Sequence, residues 1–72
     1  MTPPTPAEVG QRLAAERLRL GLTQTAAAEK LGCSRSQVTD WEVRGANPTL
    51  ATMLRFRAAG FDLRRVAPEL YA

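Results

Sequence analysis

Histidine is absent from this sequence, and cysteine occurs only once, at Cys33. A chain with these two deficits forms neither an internal disulfide nor a Cys/His zinc cluster, so its fold has to depend on packing and helix capping. The sequence also lacks a phosphate-binding glycine loop and paired acidic residues on a common helix face, which are typical of enzyme active sites. We therefore expect no metal site, no cofactor and no enzymatic activity, and we interpret Cys33 as a small packing residue.

Long apolar runs are missing as well. No stretch approaches the roughly 18 uninterrupted apolar residues of a membrane span, and residues 1–6 lack the basic segment and apolar run of a secretory signal. The length of 72 residues suits one domain. We expect a single cytoplasmic domain over residues 6–72, preceded by a mobile Pro/Thr-rich arm at residues 1–5, with no membrane partner.

Acidic residues are the minority among the charges. Ten Lys and Arg outnumber seven Asp and Glu, which gives a net charge of +3 and a pI near 10.0. Nine of the ten basic residues are arginine, whose planar guanidinium suits phosphate and guanine edges. This surplus indicates a polyanionic partner, but it is also compatible with an ordinary solvated surface, so charge alone does not decide the function.

Capping signals predict an all-α fold of five helices. Each predicted helix has a polar residue at its start and a glycine or proline at its end. The first begins near Pro6, behind a capping box of Thr5 and Glu8, and the third covers about residues 35–43. The other predicted starts are Thr23, Thr49 and Asp62, and the predicted ends are Gly21, Gly32, Gly45, Gly60 and Pro68.

Apolar residues at helical spacing predict the core. In the third helix, Val38 and Trp41 lie one turn apart and face inward, behind a second capping box formed by Ser34 and Gln37. This spacing favours Trp41 as a core residue rather than a base-stacking aromatic. The other predicted core residues are Val9, Leu13 and Leu20 in helix one, Leu50, Met53, Leu54 and Phe56 in helix four, Leu63 and Val66 in the last helix, and Leu18 or Leu22 as fillers beside Ala27.

Two short helices joined by only "GCS" match a helix-turn-helix. The stretch "RLRLGLTQTAAAEKLGCSRSQVTDWE", followed by "NPTL" and "AAGFDL", resembles the DNA-binding domain of phage Cro and repressor proteins, also called the XRE type. The segments "GLTQ", "LG" before a polar cap, and "WE" fall at the spacing of that family. The resemblance implies a compact, lambda-repressor-like five-helix domain that binds double-stranded DNA.

One side of the third helix is predicted to read bases. Ser36, Thr39 and Asp40 face away from Val38, and Arg35 lies at the edge of this outer side. The resemblance implies base contacts at Arg35, Ser36 and Asp40. Arg35 suits guanine, whereas Asp40 suits cytosine N4 or orients a neighbouring arginine. The alternatives stay open: a flexible surface arginine, ordinary surface hydroxyls at Ser36 and Thr39, and a solvated acid at Asp40.

The start of the second helix is predicted to contact the DNA backbone. The amides of a first helical turn lack internal partners, and the helix dipole favours an anion there. The resemblance implies that Gln24 contacts phosphate or base. The full set of predicted backbone contacts is Thr23, Gln24, Ser34, Gln37, Arg44 and Asn47, and for Asn47 a turn role is the stronger interpretation.

Arg17 and Glu42 each interrupt an apolar helix face, where an unpaired charge would be costly. We predict that they form a structural ion pair between the first and third helices. The resemblance implies the same pair, because repressors of this type carry an internal arginine–glutamate bridge at the matching positions.

These patterns favour a sequence-specific transcription regulator, acting as a repressor with the third helix in the major groove. The resemblance implies a homodimer on half-sites roughly 34 Å apart. The residues Leu63, Val66, Leu70 and Tyr71 either supply the dimer contact or close the core. The alternative function is an antitoxin-like or adaptor module that uses the same fold to bind a protein partner, which the mixed charge of the third helix keeps open.

Overall fold

Five α-helices and a terminal 3₁₀ turn form the described part of the chain, residues 4–47 and 49–71 of a computed structural model. The predicted all-α, five-helix fold is confirmed. None of the described helices is long and apolar enough to cross a membrane. Residues 1–3 of the predicted arm, and the side chains of Leu70 and Tyr71, lie outside the description. The elements are α1 (Pro6–Arg19), α2 (Gln24–Leu31), α3 (Arg35–Arg44), α4 (Leu50–Ala58), α5 (Leu63–Val66) and the 3₁₀ turn Pro68–Tyr71.

Side-chain caps begin the first four helices at the predicted residues. The capping residues Thr5, Thr23, Ser34 and Thr49 have extended backbone, and each hydroxyl accepts the amide hydrogen of the third residue after it. Each bond satisfies an amide that the helix itself leaves without a partner. The boundaries of the helix-turn-helix are therefore fixed by local chemistry.

The two predicted capping boxes have different outcomes. At Thr5 the box is complete, because the carboxylate of Glu8 accepts the Thr5 amide at 3.5 Å. At Ser34 the prediction is wrong. The Gln37 amide donates to Ser34 Oγ at 3.1 Å, but within the described residues the Gln37 side chain returns no hydrogen bond. The cap at α3 needs only the serine hydroxyl.

Two glycines let α3 lie directly against α1. A Cβ at Gly10 would clash with the carbonyl oxygen of Trp41. Gly45 has φ of 109°, and a Cβ there would lie 2.7 Å from the carbonyl carbon of Pro6. The next amide, of Ala46, donates to the Pro6 carbonyl at 2.9 Å. The end of α3 is thereby fixed to the start of α1.

Phe56 lies at the centre of the core, with 0% of its surface exposed. The Trp41 ring meets it edge to face with 5.1 Å between the centroids, and the Phe61 ring stacks on it at 5.7 Å. Edge-to-face aromatic pairs stabilise beyond the area that they bury. The tryptophan therefore holds the inner side of α3 against α4, as its spacing from Val38 predicts.

Two predicted core leucines, Leu50 and Leu54, are instead 74% and 54% exposed, and Leu18, one of the alternative fillers beside Ala27, is 66% exposed. The prediction for the two leucines of α4 is wrong because this helix buries only the stripe through Phe56. At the α-helical rotation per residue, Leu54 lies about 200° and Leu50 about 240° around the helix from Phe56. These two leucines form an apolar strip on the outside of α4.

The last helix is fixed to α1. Asp62 caps α5 by accepting the Arg64 amide at 2.9 Å, and Val66 is fully buried. The helix ends at Val66, and Pro68 begins the 3₁₀ turn. Arg12 of α1 donates to a Glu69 carboxylate oxygen at 2.7 Å. Val66 thus closes the core, and it is not available for a dimer contact.

Candidate nucleic-acid interface

The outer side of α3 is open to solvent. Arg35, Ser36 and Asp40 are exposed, while Val38 on the opposite side is 4% exposed. The three exposed residues and Thr39 line one shallow depression on the surface. The structure therefore brings the four predicted base-reading side chains together on a concave polar surface, which we call the reading surface.

Thr39 is less free than its three neighbours on the reading surface. It is half-buried, and its hydroxyl donates to Gln24 Oε1 at 3.1 Å. The bond crosses from α3 to the first residue of α2. The Thr39 hydroxyl is thus an anchored group, whereas the exposed side chains of Arg35 and Ser36 have no such bond within the described residues.

Gln24 connects the reading surface to the interior. Its amide nitrogen Nε2 donates to Glu42 Oε1 at 3.2 Å, while its carbonyl oxygen accepts from Thr39. Sequence reasoning assigned this glutamine to the DNA backbone and did not foresee either bond. One hydrogen on Nε2 is left over, because a side-chain amide carries two.

Arg17 and Glu42 form a two-pronged ion pair beneath the helix-turn-helix. Arg17 Nε lies 2.7 Å from Glu42 Oε2, and Nη2 lies 3.1 Å from Oε1. The side chains are 14% and 9% exposed, and Arg17 also donates to the Leu22 carbonyl at 2.9 Å. The pair joins α1, the turn after it and α3, so the orientation of α3 depends on it.

The family model described as helix-turn-helix matches residues 13–59. The chain belongs to the XRE-type helix-turn-helix family. This XRE-type domain is similar to a solved structure, the restriction-modification controller protein C.AhdI from Aeromonas hydrophila. The similarity has a TM-score of 0.71 and 31% identity, and it covers 83% of this chain and 92% of the other. No curated protein matches the sequence.

The family match and the similar solved structure together support a general function. The XRE-type domain is a DNA-binding transcriptional regulator. The matched segment contains α2, α3 and α4 in full, together with the "GCS" turn. The reading surface therefore lies inside the matched segment.

The side chains of the XRE-type domain that are predicted to contact the DNA backbone surround the reading surface. They differ in exposure and in whether they are already hydrogen-bonded. The hydroxyls of Thr23 and Ser34 accept cap amides at 3.0 and 3.1 Å, so each marks a helix start. Arg44 is 81% exposed and lies 3.7 Å from Asp40 in a loose ion pair. Asn47 is exposed, whereas Gln37 is half-buried. Arg44 and Asn47 thus have the freest side chains of this set.

Sequence reasoning missed Glu16, a charged residue of the XRE-type domain that is only 2% exposed. Arg19 donates to both carboxylate oxygens at 2.7 and 2.8 Å, and the Asp62 amide donates at 2.8 Å. The bonds from Arg19 lower the pKa of the Glu16 carboxyl more than burial raises it. One signal was available: Glu16 occupies the next position on the helix face of Val9 and Leu13, where it interrupts an apolar stripe.

Proposed function

We propose that this regulator binds DNA sequence-specifically by inserting α3 into the major groove and that it acts as a repressor by occupying a promoter. The observation that carries the proposal is the two-sided α3. Val38 and Trp41 hold its inner side in the core, while its outer side presents donors and acceptors to solvent. The major groove accepts an α-helix, and its base edges present a distinct hydrogen-bonding pattern for each base pair.

Arg35 is the leading base-reading residue of this proposal. Its guanidinium is exposed in the first turn of α3 and fits the O6 and N7 acceptors of guanine. Asp40 accepts from cytosine N4, and its loose 3.7 Å pair with Arg44 leaves it free to do so. Ser36, beside Arg35, contacts a base edge or a phosphate.

The DNA backbone contacts in this proposal are at both ends of the reading surface. At the start of α2, the first-turn amides that lack a partner make the helix end electropositive, and Gln24, with one spare amide hydrogen, is the first residue there. This helix end is bordered by the capping residues Thr23 and Ser34 and by Gln37. Arg44 and Asn47 supply the other end. Such contacts position the domain on the duplex without reading sequence.

We propose a homodimer as the binding species, since one reading helix contacts few base pairs. The contact is assigned to the outside of α4. Leu50, Leu54 and Ala58 recur at four-residue intervals and are exposed. An apolar strip that is identical on both copies is self-complementary across a two-fold axis.

The test is selection of bound fragments from a random DNA library, followed by affinity measurements on single-base variants of the selected site. Arg35→Ala should remove the preference at one base pair, worth about 1–3 kcal/mol. Arg57→Ala removes another exposed arginine, from α4, and serves as the matched control, with the preference retained. A reporter behind the selected site should fall in activity when the protein is present.

Two results would overturn the proposal. Arg35→Ala that weakens selected and random DNA equally would remove it from base reading. A parent protein that enriches no sequence from the library would leave the protein-interaction module as the better function, because the mixed charges of α3 would then serve a protein surface.

A further inference from the structure

The hydrogen bonds beneath the reading surface form one chain from α1 to Thr39. Arg17 donates to the Glu42 carboxylate at 2.7 and 3.1 Å. Gln24 donates to the same carboxylate at 3.2 Å and accepts from the Thr39 hydroxyl at 3.1 Å. No buried side-chain nitrogen or oxygen in the described residues lacks a partner.

The direction of every bond in this chain follows from the groups at its buried end. A guanidinium only donates and a carboxylate only accepts, so Arg17 and Glu42 have a single arrangement. Glu42 must then face the NH₂ of Gln24, which turns the carbonyl oxygen of that amide toward Thr39. A carbonyl oxygen only accepts. The single O–H hydrogen of Thr39 is therefore used, and two lone pairs remain on its oxygen.

We propose that this chain makes Thr39 an acceptor-only base reader, which selects cytosine or adenine by the exocyclic amino group in the major groove. The proposal rests on the DNA-binding function proposed above. Thr39 borders the same depression as Arg35, Ser36 and Asp40, and in this proposal its lone pairs face the groove. Cytosine N4 and adenine N6 donate there, whereas guanine O6 and thymine O4 accept. An unconstrained threonine hydroxyl would serve either kind of edge.

Gln24 is the positioning residue of this device. It touches no base in the proposal, but its orientation decides whether Thr39 donates or accepts. Removing the Gln24 carbonyl frees the Thr39 hydrogen, and Thr39 then satisfies an acceptor edge as well. The specificity at one base pair is thus set by a residue on a different helix.

The experiment uses the selected site and locates the base pair at which Thr39→Val changes the preference. Valine keeps the shape of threonine and lacks the hydroxyl. We expect cytosine or adenine on the strand whose base faces Thr39, so exchanging the two bases of this pair between the strands should weaken binding by the parent. Replacing the cytosine or adenine by the analogue without the amino group, 2-pyrimidinone or purine, should weaken the parent roughly 3- to 10-fold, the size of one neutral hydrogen bond. Thr39→Val should lose less than about 2-fold on the same replacement, and Thr39→Ser should respond as the parent does.

The variant Gln24→Met tests a base preference that would not change if Gln24 had a purely structural role. It has similar length and no carbonyl, so the preference for an amino base over guanine or thymine should fall at this base pair, while the Arg35-dependent preference is unchanged. A thermal melt of each variant establishes that it is folded.

Exchange of the two bases of this pair without effect on the parent, or an amino-group replacement without effect, would overturn the inference while leaving the Arg35-dependent preference, and with it the proposed function, intact. A Thr39→Val variant that changes no base preference would overturn it in the same way. A parent protein that shows no sequence preference would overturn both the inference and the proposed function.

Discussion

Glu16 and Arg17 are neighbours on α1, yet they connect it to opposite parts of the molecule. Arg17 pairs with Glu42 and holds the reading helix α3. Glu16 accepts from the Asp62 amide at 2.8 Å and holds the start of α5. The separation follows from helical geometry, because adjacent residues lie about 100° apart around the axis.

The two charged clusters differ in what surrounds them. Both members of the Arg17–Glu42 pair are largely shielded from water, with side chains only 14% and 9% exposed. Glu16 is 2% exposed, but its arginine partners Arg19 and Arg65 are 42% and 64% exposed. Loss of Arg17 leaves a largely shielded carboxylate with only the Gln24 amide as a donor, whereas loss of Glu16 leaves arginines that water can hydrate. A buried ion is thus most costly to disturb when its partner is buried too.

The largest effect is expected for Arg17→Ala. It strands the Glu42 carboxylate and should lower the free energy of unfolding by about 3 kcal/mol, which lowers the melting temperature by more than about 10 °C for a domain of this size. The double variant Arg17→Ala/Glu42→Ala should be less destabilised than the single one, because no buried charge remains. A single variant that melts like the parent would show that the pair does not stabilise the fold.

A smaller loss is expected for Glu16→Gln. The amide loses the charge-assisted bonds from Arg19, which should lower the free energy of unfolding by about 2 kcal/mol. Glu29→Gln is the matched control on exposed α2 surface and should change it by less than about 0.5 kcal/mol. Equal denaturation midpoints for the two variants would contradict the structural role of Glu16.

Acid should weaken the contacts that join α1 to the C-terminal part of the chain. The resulting loss in free energy of unfolding should be smaller than the loss caused by Glu16→Gln. The bonds from Arg19 lower the pKa of Glu16, and a hydrogen bond from Arg12 lowers the pKa of Glu69. A carboxyl with a lowered folded-state pKa binds fewer protons folded than unfolded, so its stabilisation is complete above its ordinary value of about 4.5 and is lost as the pH falls through the folded-state pKa.

The measurement is the free energy of unfolding in denaturant between pH 7 and pH 3. Its decline on acidification should be shallower in Glu16→Gln than in the parent, and Glu69→Gln should flatten it less, because the Glu69 side chain is 23% exposed. A Glu16→Gln curve parallel to that of the parent would disprove the linkage.

The smallest expected difference in stability is between variants of the two arginines that lie beside Glu16. Arg19 makes bonds of 2.7 and 2.8 Å, whereas Arg65 approaches only to 3.7 Å. Arg19→Ala should therefore lower the melting temperature more than Arg65→Ala does, because the loose pair of Arg65 is exposed and contributes little. Thermal melts of the two variants test this order, and the reverse order would mean that Arg65 is the principal partner in solution.

Much of the local structure was predictable from the sequence because it depends on neighbouring residues. A cap such as Ser34 needs only the amide of the third residue after it, and a left-handed stop such as Gly32, with φ of 71°, needs only the absence of a side chain. Arg35, Ser36 and Asp40 share an outer side because α3 is helical and Val38 faces inward. Their assignment to individual bases stays a prediction.

The wrong or missing predictions concern residues whose roles depend on distant parts of the chain. Leu50 and Leu54 look like core residues in sequence, but α4 meets its neighbours along the Phe56 stripe. Glu16 breaks an apolar stripe in sequence, and the amide that satisfies its burial is 46 residues away. Nothing near Gln24 in sequence indicates that Thr39 and Glu42 take both ends of its amide.

The sequence by itself determined the helices, their caps and the family of this protein, since turn chemistry and helical spacing act over a few residues. Only the tertiary structure decided which charges are buried, which leucines remain exposed and in which direction the hydrogen bonds beneath α3 run. Those properties depend on which groups from separate helices meet out of water, where each donor has to find an acceptor.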